Sequence, residues 1–224
     1  MDTKTVMISQ QDLFDTLAQV GKALGSGHRL ALLERIAQGD ASVEILASTV
    51  DLTLGNASAH LQHLRRAGLV TATRSGKQMI YRLTDQRIVT LLGLLREVAE
   101  TNLAEMERMV SRLFADDNPD GALEAVSREE LLSGLKSGKM QLLDVRPKDE
   151  FQAGHLPKAI NIPLEQLETM LDKLPKDREI VAYCRGPHCV LSHKAVQRLR
   201  TMGYHVRRFD EGFPEWKAAG LPIQ

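Results

Sequence analysis

Cysteine is almost missing from this chain. Only two occur in 224 residues, Cys184 and Cys189, and both lie in one six-residue stretch, Cys184-Arg185-Gly186-Pro187-His188-Cys189. So few thiols exclude a scaffold stapled by several disulfides. In a reducing compartment a close pair reads as catalytic, redox-active or metal-binding before it reads as structural. Long apolar runs are missing too. The longest, Ile88 to Leu95, is far too short to span a bilayer, and Met1-Asp2-Thr3-Lys4-Thr5 lacks the basic region and apolar core of a secretory leader. A cytoplasmic protein with no membrane partner is expected. Net charge is also absent, since 29 Lys and Arg balance 29 Asp and Glu. That balance excludes no partner, because a locally basic face can hide in a neutral total. No internal repeat or low-complexity tract is present.

What remains is ordinary globular composition, 43% hydrophobic and 26% charged, at a length that allows two small cores. Residues 115–126 interrupt helical periodicity with acidic residues, Asn118, Pro119, Asp120 and Gly121, and mark a linker. Two domains are therefore expected, 1–114 and 127–224. Just past the linker, Ser127-Arg128-Glu129-Glu130 has capping-box spacing, so a helix starts there.

The first half reads as helices followed by a hairpin. Leu13, Leu17, Val20 and Leu24 recur at helical spacing, as do Leu30, Leu33 and Ile36, with Gly39 after them. A third helix covers about Val43 to Val50. A fourth begins near Asn56-Ala57-Ser58, buries Leu61 and Leu64, and ends at Gly68. Leu69–Thr73 and Met79–Leu83 read as strands joined through Arg74-Ser75-Gly76-Lys77, a turn with a basic tip. One long helix is then predicted from about Asp85 to Phe114. Its stripe of Ile88, Leu91, Leu95, Val98, Met106, Met109 and Leu113 is longer than one small domain needs to cover, and with the apolar face of the first helix it predicts a homodimer surface.

The second half alternates strand and helix. Strands are predicted at Met140–Val145, Glu179–Tyr183 and His205–Phe209, and helices at Leu164–Leu174, Leu191–Met202 and Phe213–Ala219. Such alternation implies a mainly parallel sheet covered on both faces, with its reactive crevice beyond the C-terminal strand ends. Cys184 falls there. A thiol between a strand and a helix start meets unpaired amides and the positive end of the helix dipole, which favour a thiolate or persulfide anion. Arg185 adds positive charge, and Gly186 and Pro187 permit and stiffen the tight loop.

His28 to Leu33, the run Asn56 to Val70 with Arg65-Arg66-Ala67-Gly68-Leu69-Val70, and the glycine-tipped Ser75-Gly76-Lys77-Gln78 resemble the winged helix-turn-helix of ArsR-type repressors over roughly residues 10–112. The resemblance implies a homodimer on double-stranded operator DNA, its fourth helix in the major groove. Asn56, Ser58, His60, Gln62 and His63 are then the groove-side candidates, with Arg74 and Lys77 on backbone phosphate. Metal-sensing ligands of that family are largely missing: the third helix has no thiol, and Arg87, Val98 and Thr101 stand where ligands would be expected beyond Asp85. No metal and no cofactor are expected.

Asp144-Val145-Arg146-Pro147, Glu150-Phe151, Gly154-His155-Leu156-Pro157, Ala159 to Pro163 and Gly212-Phe213-Pro214-Glu215-Trp216 resemble a single rhodanese domain spanning 127–222, with Glu211 departing from the usual paired glycine. The resemblance implies that Cys184 takes sulfane sulfur from a donor such as thiosulfate or polysulfide as a persulfide. The amides of residues 185–189 would nest the anion, with Arg185, Gly186, His188 and Cys189 in the catalytic loop and Asp144 and Arg146 supporting substrate. A related phosphatase and arsenate-reductase group carries arginine six positions after its cysteine. Val190 stands there instead, which disfavours oxyanion-ester chemistry. Cys189 offers a second thiol to attack a Cys184 persulfide. The expectation is thus a DNA-binding regulator, a probable repressor in class, that senses or transfers reactive sulfur. Its rivals are a working sulfurtransferase that autoregulates through DNA, and a metalloid-responsive repressor using Cys184 and Cys189.

Overall fold

The computed structural model describes residues 8–114 and 125–224. They divide into two compact units, one ending at Ile88 and the other running from Val89 to Gln224. Of the expected linker, residues 115–124 lie outside the described residues, and its last two form a short strand.

The first unit holds α1 (Gln10–Leu24), α2 (Gly27–Ala37), β1 (Ala41–Ser42), α3 (Val43–Thr49), α4 (Leu54–Arg66), β2 (Val70–Ser75) and β3 (Gln78–Leu83). Side-chain caps start α3 and α4: Ser42 accepts from the Ile45 amide and Thr53 from the Asn56 amide. Leu32, Leu33, Leu46, Ala57, Leu61 and Leu64 are fully buried, so α2, α3 and α4 share one core. β1, unseen in the sequence, pairs with β3 to give an antiparallel sheet of order β1-β3-β2. The hairpin is tighter than predicted. Arg74 and Ser75 continue the ladder opposite Met79 and Gln78, leaving only Gly76-Lys77 as the turn. Gly76 has φ 60 at the first central position, where two-residue hairpins of the II′ kind need positive φ. On α1, Leu13 and Leu17 stay 63% and 65% exposed, without cover among the described residues, while Val20 and Leu24 of the same stripe are half-buried.

The single long helix is instead two, α5 (Arg87–Asn102) and α6 (Ala104–Leu113). Leu103 between them is extended, at φ −111 and ψ 101. Thr101 and Asn102 are poor helix formers, and the Asn102 amide donates back to the Val98 carbonyl, a local bond that competes with helix propagation. Of the expected stripe Ile88 is buried, whereas Leu91, Leu95, Val98, Met109 and Leu113 are exposed.

The rest of the second unit is a three-layer α/β fold. Its elements are β4 (Ala125–Val126), α7 (Arg128–Lys136), β5 (Met140–Asp144), α8 (Lys148–Gln152), β6 (Ile160–Asn161), β7 (Glu179–Cys184), α9 (Val190–Thr201), β8 (Val206–Gly212) and α10 (Phe213–Ala218). The five strands run parallel in the order β4-β8-β7-β5-β6. Ser127 caps α7 through the Glu130 amide, as its spacing predicts. The helix expected at Leu164–Leu174 is two 3₁₀ pieces, Leu164–Thr169 and Leu171–Lys173. Leu164, Leu167, Met170 and Leu171 fall almost every third residue, the repeat of a 3₁₀ turn, and prolines 163 and 175 bound the stretch. Period-two alternation along β7 sorts the core. Ala182 and Cys184 join Leu143, Ala195, Val196 and Leu199 on the α9 face, while Val181 and Tyr183 join Phe209, Phe213 and Trp216 on the other.

Candidate functional site

The two cysteines bracket the passage from the centre of the sheet to α9. Cys184 ends β7, and Cys189 is the residue before the first turn of α9. Their Cα atoms stand 6.4 Å apart and their sulfurs are joined as a disulfide, a separation within the range such bonds span. Cys184 is 1% exposed. Besides Cys189, its sulfur meets the Ser192 hydroxyl at 3.3 Å and the Cys189 carbonyl at 3.5 Å. Ser192 is itself buried and had drawn no notice in the sequence, where it is one polar residue in a helix.

The expected amide nest is smaller than the five residues 185–189. Pro187 has no N–H, and the Cys189 amide donates to the Gly186 carbonyl at 3.1 Å, closing the loop's own turn. Gly186 is required, with φ 154 and its α-carbon facing the Glu215 carboxylate, 3.3 Å from where a Cβ would stand. Gly212 is required for space. A Cβ there would lie 2.3 Å from the Gly186 nitrogen and 2.5 Å from the Arg185 carbonyl carbon. Strand β8 pairs Gly212 with Cys184, so the loop lies directly against this glycine.

Arg185 is paired with a carboxylate. Its guanidinium grips Glu150 on α8 with bonds of 2.6 to 3.1 Å, and Glu150 is 2% exposed. The partner stands 35 positions away, which is why the sequence gave no hint of it. Asp144 and Arg146, expected to support substrate, lie in the interior. Both side chains are fully buried and pair with each other at 2.6 Å, and Arg146 also donates to the Gly154 carbonyl and lies over the Phe213 ring. Two opposite charges with no water must satisfy each other, so they brace the strand ends beneath the loop. Glu211, the departure from the glycine pair, holds Arg128 at the start of α7 through two bonds.

His188 meets a carboxylate of α5. Its Nε2 lies 2.6 Å from Glu100 on α5, and the Phe114 ring, just past α6, stands 6.4 Å from His188 and 5.2 Å from His193. Arg96, one helical turn before Glu100, lies 3.8 Å from Glu215. Glu215 is held above the usual carboxylate range by burial, with Arg96 and its bond from the Gly212 amide pulling the other way. Helices α5 and α6 thus touch both walls of the sulfur loop.

In the first unit Asn56, Gln62 and His63 are exposed on α4, and Ser58 is half-buried. His60 differs from expectation. It packs with its ring 5.5 Å from that of His28, and burial, then the nearby His28, Arg29 and His63, hold it below the ordinary imidazole value. At the wing Arg74 donates to the Gly76 carbonyl at 3.1 Å and Lys77 is exposed. Asp85, the remaining match to a metal ligand, is taken by Arg87, which lowers it to about 2. Among the described residues no group of three or more His, Cys, Asp and Glu is arranged to hold a metal ion, and no helix is long and apolar enough to cross a membrane.

Comparison with known proteins finds relatives of both parts of the chain. Residues 127–219 match the rhodanese-like domain family. The chain is 43% identical over 211 residues to the HTH-type transcriptional regulator Rv0324 of Mycobacterium tuberculosis, covering 94% of this chain and 91% of that protein. Thiosulfate:glutathione sulfurtransferase of Homo sapiens is 34% identical over 106 residues, 41% of this chain and 90% of its own. Among solved structures, the homodimeric winged helix-turn-helix domain of Mb0332 from Mycobacterium bovis is 39% identical, covers 44% of this chain and 95% of that one, and superposes with a TM-score of 0.40. The chain therefore belongs to the HTH-type transcriptional regulators in which an ArsR-type winged helix-turn-helix is fused to a C-terminal rhodanese domain.

Proposed function

We propose that this regulator binds operator DNA as a homodimer and changes its affinity when Cys184 and Cys189 react with sulfane sulfur. The single observation behind this reading is the second thiol. Cys189 sits where it closes on Cys184 without moving out of its own loop.

The chemistry balances in two steps. The Cys184 thiolate attacks the outer sulfur of a donor such as thiosulfate; the new S–S bond forms, the donor's S–S bond breaks, and sulfite leaves with the electron pair. Cys189 then attacks Cys184 Sγ, and the terminal sulfur departs as hydrosulfide, taking the Cys189 proton. The dithiol is oxidised by two electrons and the sulfane sulfur is reduced to sulfide. Ser192, by donating to the Cys184 thiolate, supports the first step, and its hydroxyl stays within 3.3 Å of Cys184 Sγ when the ring is closed.

The interception of the persulfide favours a sensor over a turnover enzyme, because each closure must be undone by an outside thiol before Cys184 is a nucleophile again. Contacts of the loop with α5, through His188–Glu100, supply a path from sulfur to the helix that carries the exposed apolar stripe. To matter, the two sulfur states must differ in their effect on DNA affinity, by about 1 to 3 kcal/mol for an ordinary allosteric coupling.

Band shifts on operator DNA test the reading. Reduced protein and polysulfide-treated protein should differ in affinity, Cys184→Ser should respond to neither, and Cys189→Ser should stop at the persulfide by mass spectrometry. Equal affinity in a fully modified sample defeats the coupling. Robust thiosulfate turnover with unchanged DNA affinity would select the working sulfurtransferase, and release by arsenite but not polysulfide would select the metalloid sensor.

A further inference from the structure

Two arginines reach the sulfur loop, and they are placed differently. Arg185 is consumed by Glu150. Arg208, on β8, has no ion-pair partner among the described residues. It extends from the position opposite Ala182 toward the loop and gives one N–H, from Nη1, to the Pro187 carbonyl at 2.8 Å. The Phe114 ring covers the face of its guanidinium, 5.3 Å from the central carbon. Asp210, two residues along the same strand, acts on it through space without an ion pair, and one oxygen of Asp210 is buried with no hydrogen-bond partner. Burial disfavours the Arg208 charge, and Asp210 offsets only part of that cost.

One edge of the Arg208 fork, Nε–H with Nη2–H, therefore bonds to no protein oxygen among the described residues. A guanidinium edge pairs with two oxygens of a planar or tetrahedral oxyanion, and such charge-assisted bonds are strongest where water is scarce. The His188 and His193 rings both lie near the Phe114 ring that covers Arg208. We propose that this edge of Arg208 is the docking point for the oxyanion end of the sulfur donor, a sulfonate or carboxylate, and so makes the site selective for anionic sulfane donors. The proposal rests on the sulfur-transfer reading and names its substrate class. With thiosulfate, the sulfonate oxygens would be held and the outer sulfur left for Cys184; when the S–S bond breaks, the electron pair stays on the sulfur of the departing sulfite, whose oxygens Arg208 already holds. No proton moves.

The test uses the full-length chain. Thiosulfate titrated into Cys184→Ser by calorimetry should bind, and adding Arg208→Gln should weaken that binding about tenfold, a loss of roughly 1.4 kcal/mol. Arg208→Lys keeps the charge without the fork and should lose only about threefold. On reduced protein with Cys184 intact, Arg208→Gln should lower kcat/KM for thiosulfate about tenfold while dimethyl trisulfide, a neutral donor, changes less than about twofold. Thermal melts identify any variant that fails to fold, and Arg208→Lys then carries the comparison. Binding unaffected by Arg208→Gln, no binding with Arg208 in place, or an equal loss for both donors each overturns the docking point. Absence of any Cys184 persulfide from either donor defeats the sulfur-transfer reading instead, and Arg208-dependent thiosulfate binding would still uphold the anion site.

Discussion

The α4 face and the sulfur loop solve opposite problems. On α4 the proposed DNA-contacting groups are exposed side chains, Asn56, Gln62 and His63, fixed by a helix whose other face is pinned through Ala57, Leu61 and Leu64. Each side chain there acts alone. At the sulfur loop the chemistry is one buried atom, and nearly every group around it is committed to a partner from elsewhere in the chain: Arg185 to Glu150, His188 to Glu100, Gly186 against Glu215 and Gly212. Damage to the first should be local and additive, and damage to the second should spread.

The largest effect that tests this contrast is at Asp144. Asp144→Ala strands a buried guanidinium and should cost about 3 to 5 kcal/mol of stability in the second unit. Calorimetry should show one transition moved down and the other in place; a matching shift of both would mean the units unfold together. Next, Gln62→Ala or His63→Ala should cost roughly 1 to 3 kcal/mol of discrimination between operator and mutated operator. Cys184 persulfide yield should not change, and a changed yield breaks the claimed independence. Glu100→Gln removes one end of the contact between loop and α5 and should shrink the DNA-affinity ratio of the two sulfur states by about 1 kcal/mol, read in band shifts; an unchanged ratio assigns the coupling to another path.

The smallest effect is a pH slope at His60. Its folded pKa is below the ordinary 6.5, so at acid pH the unfolded chain takes up the proton more readily. Stability should be full above about pH 6.5 and fall as pH drops through that value toward the folded pKa. His60→Gln should remove that part of the slope in melts recorded at several pH values, and an unchanged slope would assign it elsewhere.

The sequence displayed the two regions unequally for the same reason. Helical spacing placed α4 and its polar face, because Leu61 and Leu64 leave few ways to orient the rest. It gives no sign of the packing of His60 on His28, since His28 lies on another helix. Motif spacing placed Cys184 at a strand end and the parallel sheet around it. It could not place Glu150, Ser192, Glu100 or Arg208, because their meaning depends on contacts 8 to 88 positions apart in the chain. Asp144 and Arg146 are visible as a motif, but their burial and mutual pairing are not. The break at Leu103 was missed because an apolar stripe continues across it, and a stripe reports which face is oily, not whether the backbone is continuous.

The ring closed by Cys184 and Cys189 has one more consequence. On the proposed chemistry, closing needs one encounter with a donor, since the second reactant is five residues away and always present. Opening needs a reductant from solution. Two different solutes therefore set the forward and backward rates, and at steady state the protein reports their ratio, like a gauge with separate fill and drain valves. A brief pulse of donor would leave a record that outlasts it, for as long as the surrounding thiols take to erase it.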